Sequence, residues 1–164
     1  MVVTLGAAPG AVAAEPDWAA IDGLRQGLSV PVLVKGIMTP AEARLALQHG
    51  VQGIIVSNWG RASQNAPILA LASIVDAVAG KLPVLIDGSL RLGADIYKAL
   101  AFGARGVLIG RPAMWALAAY GADGVQAMVQ LLQTELAQTM SACSNPNLKS
   151  LDRTFVKIHA TATQ

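Results

Sequence analysis

The stretch Pro83 to Pro112, PVLIDGSLRLGADIYKALAFGARGVLIGRP, decides how the chain is read. Pro83-Val84-Leu85-Ile86 is a short, uninterrupted apolar run, the pattern of a strand buried on both faces. It stops at Asp87-Gly88-Ser89. From Ala94 to Phe102 the spacing of Ile96, Ala99, Leu100 and Gly103 predicts a helix with one apolar side. Gly106-Val107-Leu108-Ile109 is a second buried run, closing on Gly110-Arg111-Pro112. The stretch therefore predicts two parallel strands that both finish in small residues, with Arg91 near the first end and Arg111 at the second. Glycines let backbone N–H groups approach a ligand closely, and helix N-termini favour anions. By themselves these residues leave two readings open: an anion seat, or tight turns flanked by solvated arginines.

Working upstream, the same pattern recurs. VPVLVKG at Val30–Gly36 matches LPVLIDG at Leu82–Gly88, and HGVQGIIVS at His49–Ser57 matches FGARGVLIG at Phe102–Gly110. An amphipathic helix separates the two halves of each copy. In the first it opens at Thr39-Pro40, with Thr39 a plausible N-cap and Pro40 suited to the first turn, and it stops at Gly50. A further helix is expected from Pro67 through Ala79. Four βα units in two copies predict an α/β fold: a partial (β/α)8 barrel of four parallel strands, followed by C-terminal helices. The repeat aligns Lys35 with Asp87, Ser57 with Gly110, and Asn58 with Arg111. All fall at the carboxyl ends of strands, the face where such barrels do chemistry and commonly seat a phosphate.

Beyond Pro112, helical spacing runs over Met114–Ala119 and Ala122–Met140, the latter with Val125, Met128, Val129, Leu132, Leu136 and Met140 as its stripe. Leu148–Ile158 is expected to be a short docking helix. Residues 1–16 read as an irregular segment, 17–159 as one half-barrel unit and 160–164 as a frayed tail. Asp17 is positioned to cap a short helix ending near Leu24 or Arg25. Ala11-Val12-Ala13 resembles a cleavage site but lacks a preceding basic region, which argues against a signal peptide.

Bulk composition narrows the function. The 164 residues are 54% hydrophobic and 13% charged, which argues for a packed domain rather than a disordered chain. A net charge of +2, scattered basic residues and only 4% aromatics argue against nucleic-acid binding. One cysteine, Cys143, excludes an internal disulfide and any multi-cysteine metal site, and two histidines leave little for a metal centre. A reducing, cytoplasmic setting and no transmembrane segment are expected.

Several motifs, in order and suitably spaced, resemble the FMN-dependent α-hydroxy-acid dehydrogenase and oxidase family, which includes glycolate oxidase, lactate oxidase and lactate dehydrogenases. They are Leu33-Val34-Lys35-Gly36, Ser57-Asn58-x-Gly60, Asp87-Gly88-x-Leu90-Arg91, Lys98-Ala99-Leu100, Gly110-Arg111-Pro112 and Leu151-Asp152-Arg153. The likeness runs from about Asp17 to Val156 and covers the C-terminal half of that family's barrel. It implies FMN as cofactor. Lys35 would lie at the flavin N1–C2=O edge, and Ser57 would hydrogen-bond the isoalloxazine or ribityl region. Asp87, Gly88, Ser89 and Arg91 would hold the ribityl chain and phosphate, with Gly110 and Arg111 completing the cradle.

The departures are equally specific. The family places a catalytic histidine directly after Ser-Asn; here that position is Trp59, and indole cannot accept a proton. Neither His49, before Gly50, nor His159, in the tail, is placed to substitute. The loop Arg61-Ala62-Ser63-Gln64-Asn65 is one residue shorter than the family's; with a gap, Arg61 would be the arginine for the substrate carboxylate. The second glycine of the family's Asp-Gly-Gly turn is Ser89, tolerable at negative φ and unfavourable otherwise.

Four strands cannot close a barrel, so the chain is expected to be a fragment, or to self-associate or pair with a missing N-terminal half. Three functions stay open: oxidation of a small 2-hydroxy acid such as lactate or glycolate, a catalytically silent flavin- or phosphate-binding half-barrel, and an unrelated phosphate-binding barrel.

Overall fold

The computed structural model describes residues 1–4, 17–60 and 65–157. A single parallel sheet runs in the order β1 (Val2–Thr4), β2 (Leu33–Ile37), β3 (Gly53–Val56), β4 (Val84–Asp87) and β5 (Gly106–Leu108). Sequential neighbours joined through helices produce this order directly, because a parallel pair needs a crossover connection. The α/β partial-barrel class holds, but the strand count is five rather than four. The extra strand comes from the segment read as irregular. Val2-Val3-Thr4 is β-branched throughout, and it pairs in register with Leu33, Val34 and Lys35. Three residues are too few for periodicity to announce a strand, so β2 supplied the template.

The other strands lie where the apolar runs put them, with one shift. β2 starts at Leu33, three residues later than expected, so Lys35 lies inside the strand instead of beyond it. Helices α2 (Pro40–Gln48), α3 (Pro67–Val78) and α4 (Gly93–Ala101) follow β2, β3 and β4. The α2 start is a full capping box: Thr39 Oγ1 accepts from Glu42 N, and Glu42 Oε2 accepts from Thr39 N. Helix α1 (Trp18–Gln26) is capped by Asp17, whose Oδ1 accepts from Ala20 N at 2.9 Å.

The core lies between sheet and helices. Val34, Ile54, Val56, Val84 and Ile86 point from the sheet onto Ala43, Ala46, Leu71, Ile74, Val78, Ala99 and Phe102. Successive strand residues face opposite ways, so Leu33, Lys35, Ile55, Leu85, Asp87 and Leu108 share the other, inner face. Among the described residues, β1 and β5 each pair on one side only.

Helix α5 (Arg111–Ala142) joins the two expected C-terminal helices across a break at Tyr120 and Gly121, where Gly121 takes φ 62°. The tail differs from expectation. Instead of a docking helix it forms two 3₁₀ turns, Leu148–Ser150 and Arg153–Phe155. Asn147 and Asp152 accept from Lys149 N and Thr154 N, local bonds that compete with an α-helix. Arg153 ties the tail to α3, donating to Asp76 Oδ2 and to the Ala72 carbonyl, each at 3.0 Å. That guanidinium holds the Asp76 carboxyl below its usual range.

Candidate functional site

The carboxyl ends of the strands converge on a cleft of about 280 Å³. β2 contributes Lys35; the turn after β3 contributes Trp59 and Gly60; the turn after β4 contributes Asp87, Gly88, Ser89, Leu90 and Arg91. Leu108, Gly110, Arg111 and Pro112 close it from β5 and the start of α5. Seven of the eight positions expected to hold a cofactor are therefore brought together: Lys35, Asp87, Gly88, Ser89, Arg91, Gly110 and Arg111.

The eighth, Ser57, lies beneath the cleft instead of lining it. It is fully buried, and its Oγ accepts from Trp59 N at 3.2 Å. Asn58, also buried, accepts from Gly60 N through Oδ1 at 2.9 Å and donates to the Asn65 carbonyl at 3.2 Å. Short polar side chains that bond to backbone two residues on are the mechanism of Asx and Ser turns. Together they hold Trp59 at φ 61°, the left-handed region that bulky residues avoid. Arg61 and His159 lie outside the described residues.

The charged side chains of the cleft fall into two groups. Lys35 Nζ forms an ion pair with Asp87 Oδ2, both side chains mostly buried at 20% and 15% exposure. These aligned positions of the repeat sit on β2 and β4, with β3 between them. In a barrel, alternate strands contribute to the same inner layer, which brings the two side chains within reach. The Trp59 ring covers the lysine, its centroid 5.0 Å from Nζ, a cation–π contact.

The same cleft holds Arg91 and Arg111, and among the described residues neither is paired with a carboxylate. The Arg91 guanidinium carbon lies 4.8 Å from the ring centroid of Trp115. Arg111 packs over Gly60, where an added Cβ would lie 3.5 Å from Nη2. The amides leading into α4 are engaged: Arg91 N and Leu92 N donate to Asp95, and Gly93 N, the first of the helix, donates to Glu135. The open helix terminus is that of α5 at Gly110, beside Arg111. Two guanidiniums and a positive helix end balance the two negative charges of a phosphate monoester. An added Cβ on Gly110 would meet nothing within 4 Å, so space is open where an anion would sit. The residues present thus fit the phosphate of FMN.

Proton-transfer chemistry is not equally provided. Trp59 offers only an N–H donor. His49 is the C-cap of α2, near the amino end of β3 and so away from the carboxyl-end cleft, where it bonds Asp22 at 2.8 Å and stacks on Trp18. Among the described residues no group of three His, Cys, Asp or Glu could hold a metal ion, and no helix is long and apolar enough to cross a membrane.

Three features escaped the sequence. Trp115 lies one turn after Arg111 on α5, and its only signal was an aromatic residue just inside a helix start. Gly60 beneath Arg111 and Trp59 as a wall over Lys35 depend on turns from different strands meeting. Ser89 takes φ 60°, the unfavourable case. Left-handed backbone costs a non-glycine residue about 1 kcal/mol. Ser89→Gly is therefore expected to raise the melting temperature by roughly 2–4 °C; a decrease in thermal denaturation would contradict this account of the turn.

The sequence model of the FMN-dependent dehydrogenases matches residues 6–158. Glycolate oxidase 3 of Arabidopsis thaliana is 44% identical over 144 residues, 86% of this chain and 39% of that protein. Human 2-hydroxyacid oxidase 1 is 43% identical over 146 residues, again 86% of this chain and 39% of the relative. A crystal structure of mandelate oxidase with (S)-2-phenylpropionate superposes with a TM-score of 0.80 at 40% identity, covering 84% of this chain and 42% of that one. A mandelate oxidase variant carrying a monooxide FMN adduct gives a TM-score of 0.82 at 38% identity, over 93% of this chain and 52% of that one. The chain thus spans about two-fifths of the length of the curated relatives, 39% in both cases.

Proposed function

This chain belongs to the FMN-dependent dehydrogenase family, and on that premise we propose that its cleft holds FMN by the phosphate while the described residues supply no base for oxidising a 2-hydroxy acid. The observation that carries the reading is the pair of carboxylate-free guanidiniums, Arg91 and Arg111, beside the α5 terminus in one cleft with Asp87, Gly88 and Ser89. Arg91 and Arg111 bind the phosphate. Lys35, steadied by Asp87, faces the ring end, where an ammonium favours negative charge on the flavin. Bound FMN would supply a two-electron acceptor. Oxidation of glycolate or lactate would also need a proton acceptor for the substrate hydroxyl, and Trp59 stands where the family carries one. Arg61 is the candidate for the substrate carboxylate.

Relatives named as peroxisomal oxidases are among those matched; for this chain we place Cys143, which is exposed, in a reducing compartment such as the cytoplasm. The edges of β1 and β5, unpaired among the described residues, and the half-buried Leu33, Leu85 and Leu108 on the inner face support self-association or pairing with an N-terminal half-barrel.

Calorimetric titration of the purified chain with FMN and with riboflavin tests this, with the mass in solution followed alongside. FMN is expected to bind saturably and at least about tenfold more tightly than riboflavin, which lacks the phosphate. Glycolate or lactate added to the loaded chain should leave the visible flavin absorbance unbleached. Equal affinity for both flavins, or no saturable FMN binding, overturns the reading; bleaching overturns the missing base.

A further inference from the structure

We propose that the Trp59 indole is the ring-stacking wall of the cleft, lying against the flat ring of the bound flavin and filling the space over it that a 2-hydroxy acid would need. This rests on the reading of the cleft as an FMN site. Trp59 is the only aromatic residue lining the cleft among the described residues. It stands beside Lys35, in the same cleft as Arg91 and Arg111. Two guanidiniums and a flat, electron-rich indole lining one cleft form a pattern complementary to an aromatic phosphomonoester. Trp59 is 37% exposed as a residue, so part of its surface remains free although the lysine is close by.

The backbone points the same way. A tryptophan at φ 61° is strained, and such strain persists only where the surroundings over-determine it. Here buried Ser57 and Asn58 do so, through bonds to Trp59 N and Gly60 N. The side chain is thus presented from a rigid turn rather than a loose loop, as a stacking wall requires. Indole is also larger than imidazole. Seated over the ring of an electron-poor flavin it gains stacking contact while taking volume from any substrate on that face. In this account Trp59 does more than leave out a base: it turns a reaction face into a holding face.

The full-length chain carrying Trp59→Leu or Trp59→Phe separates the possibilities. FMN and inorganic phosphate are titrated calorimetrically, and FMN emission is followed on binding. In the wild type, emission should fall steeply, since a stacked indole quenches flavin. Trp59→Leu should weaken FMN about tenfold, in keeping with aromatic stacking, and restore emission severalfold, while phosphate affinity stays within about twofold. Trp59→Phe should retain most of the FMN affinity but restore emission. FMN affinity and emission unchanged in Trp59→Leu would overturn the proposal, as would equal losses for FMN and phosphate, which would mean that Trp59 only shapes the turn. If the wild type shows no calorimetric FMN binding, the FMN reading fails and this inference with it. Binding without quenching removes this inference alone.

Discussion

Gly93→Ala is expected to lower the melting temperature by roughly 10 °C, the largest stability loss predicted for a single added methyl group here. A Cβ at Gly93 would lie 2.1 Å from Leu136 N and 2.3 Å from Glu135 C, both backbone atoms of α5. No change of rotamer relieves a clash with backbone, so α4 and α5 must separate. Separation also lengthens the 2.7 Å bond from Gly93 N to Glu135 Oε2, a half-buried contact at the α4 terminus. Overpacking of this kind costs roughly 3 kcal/mol or more when nothing can yield. Because Arg91 precedes Gly93 by two residues, the variant should also loosen the phosphate end of the cleft. A melting temperature within about 2 °C of the wild type would show that the helices can part without penalty.

The second large effect is on binding. Arg111→Ala and Arg91→Ala should each weaken FMN by roughly 10- to 100-fold, because a charge-assisted hydrogen bond contributes about 1.5–3 kcal/mol. Riboflavin affinity should hardly change, since the lost contacts are with the phosphate. Arg111→Lys should recover only part of the loss: lysine keeps the charge but not the planar fork that meets two oxygens at once. Arg111 should prove the less replaceable, because it sits at the α5 terminus and packs over Gly60. Arg91 is held by Trp115, so losing that ring should reproduce part of the Arg91→Ala effect. Equal losses for FMN and riboflavin would place these arginines away from the phosphate.

Much of this architecture was legible from residue order. The βαβ stretch from Pro83, its repeat upstream, and the turns at Asp87-Gly88-Ser89 and Gly110-Arg111-Pro112 located the strand ends to within a residue or two, except at β2. Such features are short-range: a buried strand is a run of apolar residues, and a helix start is a cap with its reciprocal carboxylate, as at Thr39 and Glu42. The first strand was not legible because three β-branched residues carry no period, and the tail because Asn147 and Asp152 bond locally in preference to an α-helix.

The sequence by itself determined the order of the four βα units, the family, and most of the positions that gather at the carboxyl ends, since each depends on local pattern. Only the tertiary structure decided what those positions do to one another. Lys35 meets Asp87 across 52 residues and an intervening strand; Gly93 meets Glu135 across 42; Arg91 is aimed by Trp115 and Arg111 by Gly60. Such contacts arise when turns from separate strands are packed over one sheet, and no spacing along the chain encodes that distance. Ser57 shows the difference most directly. Its place in the motif suggested a ligand contact, and the packed turn made it the post beneath Trp59.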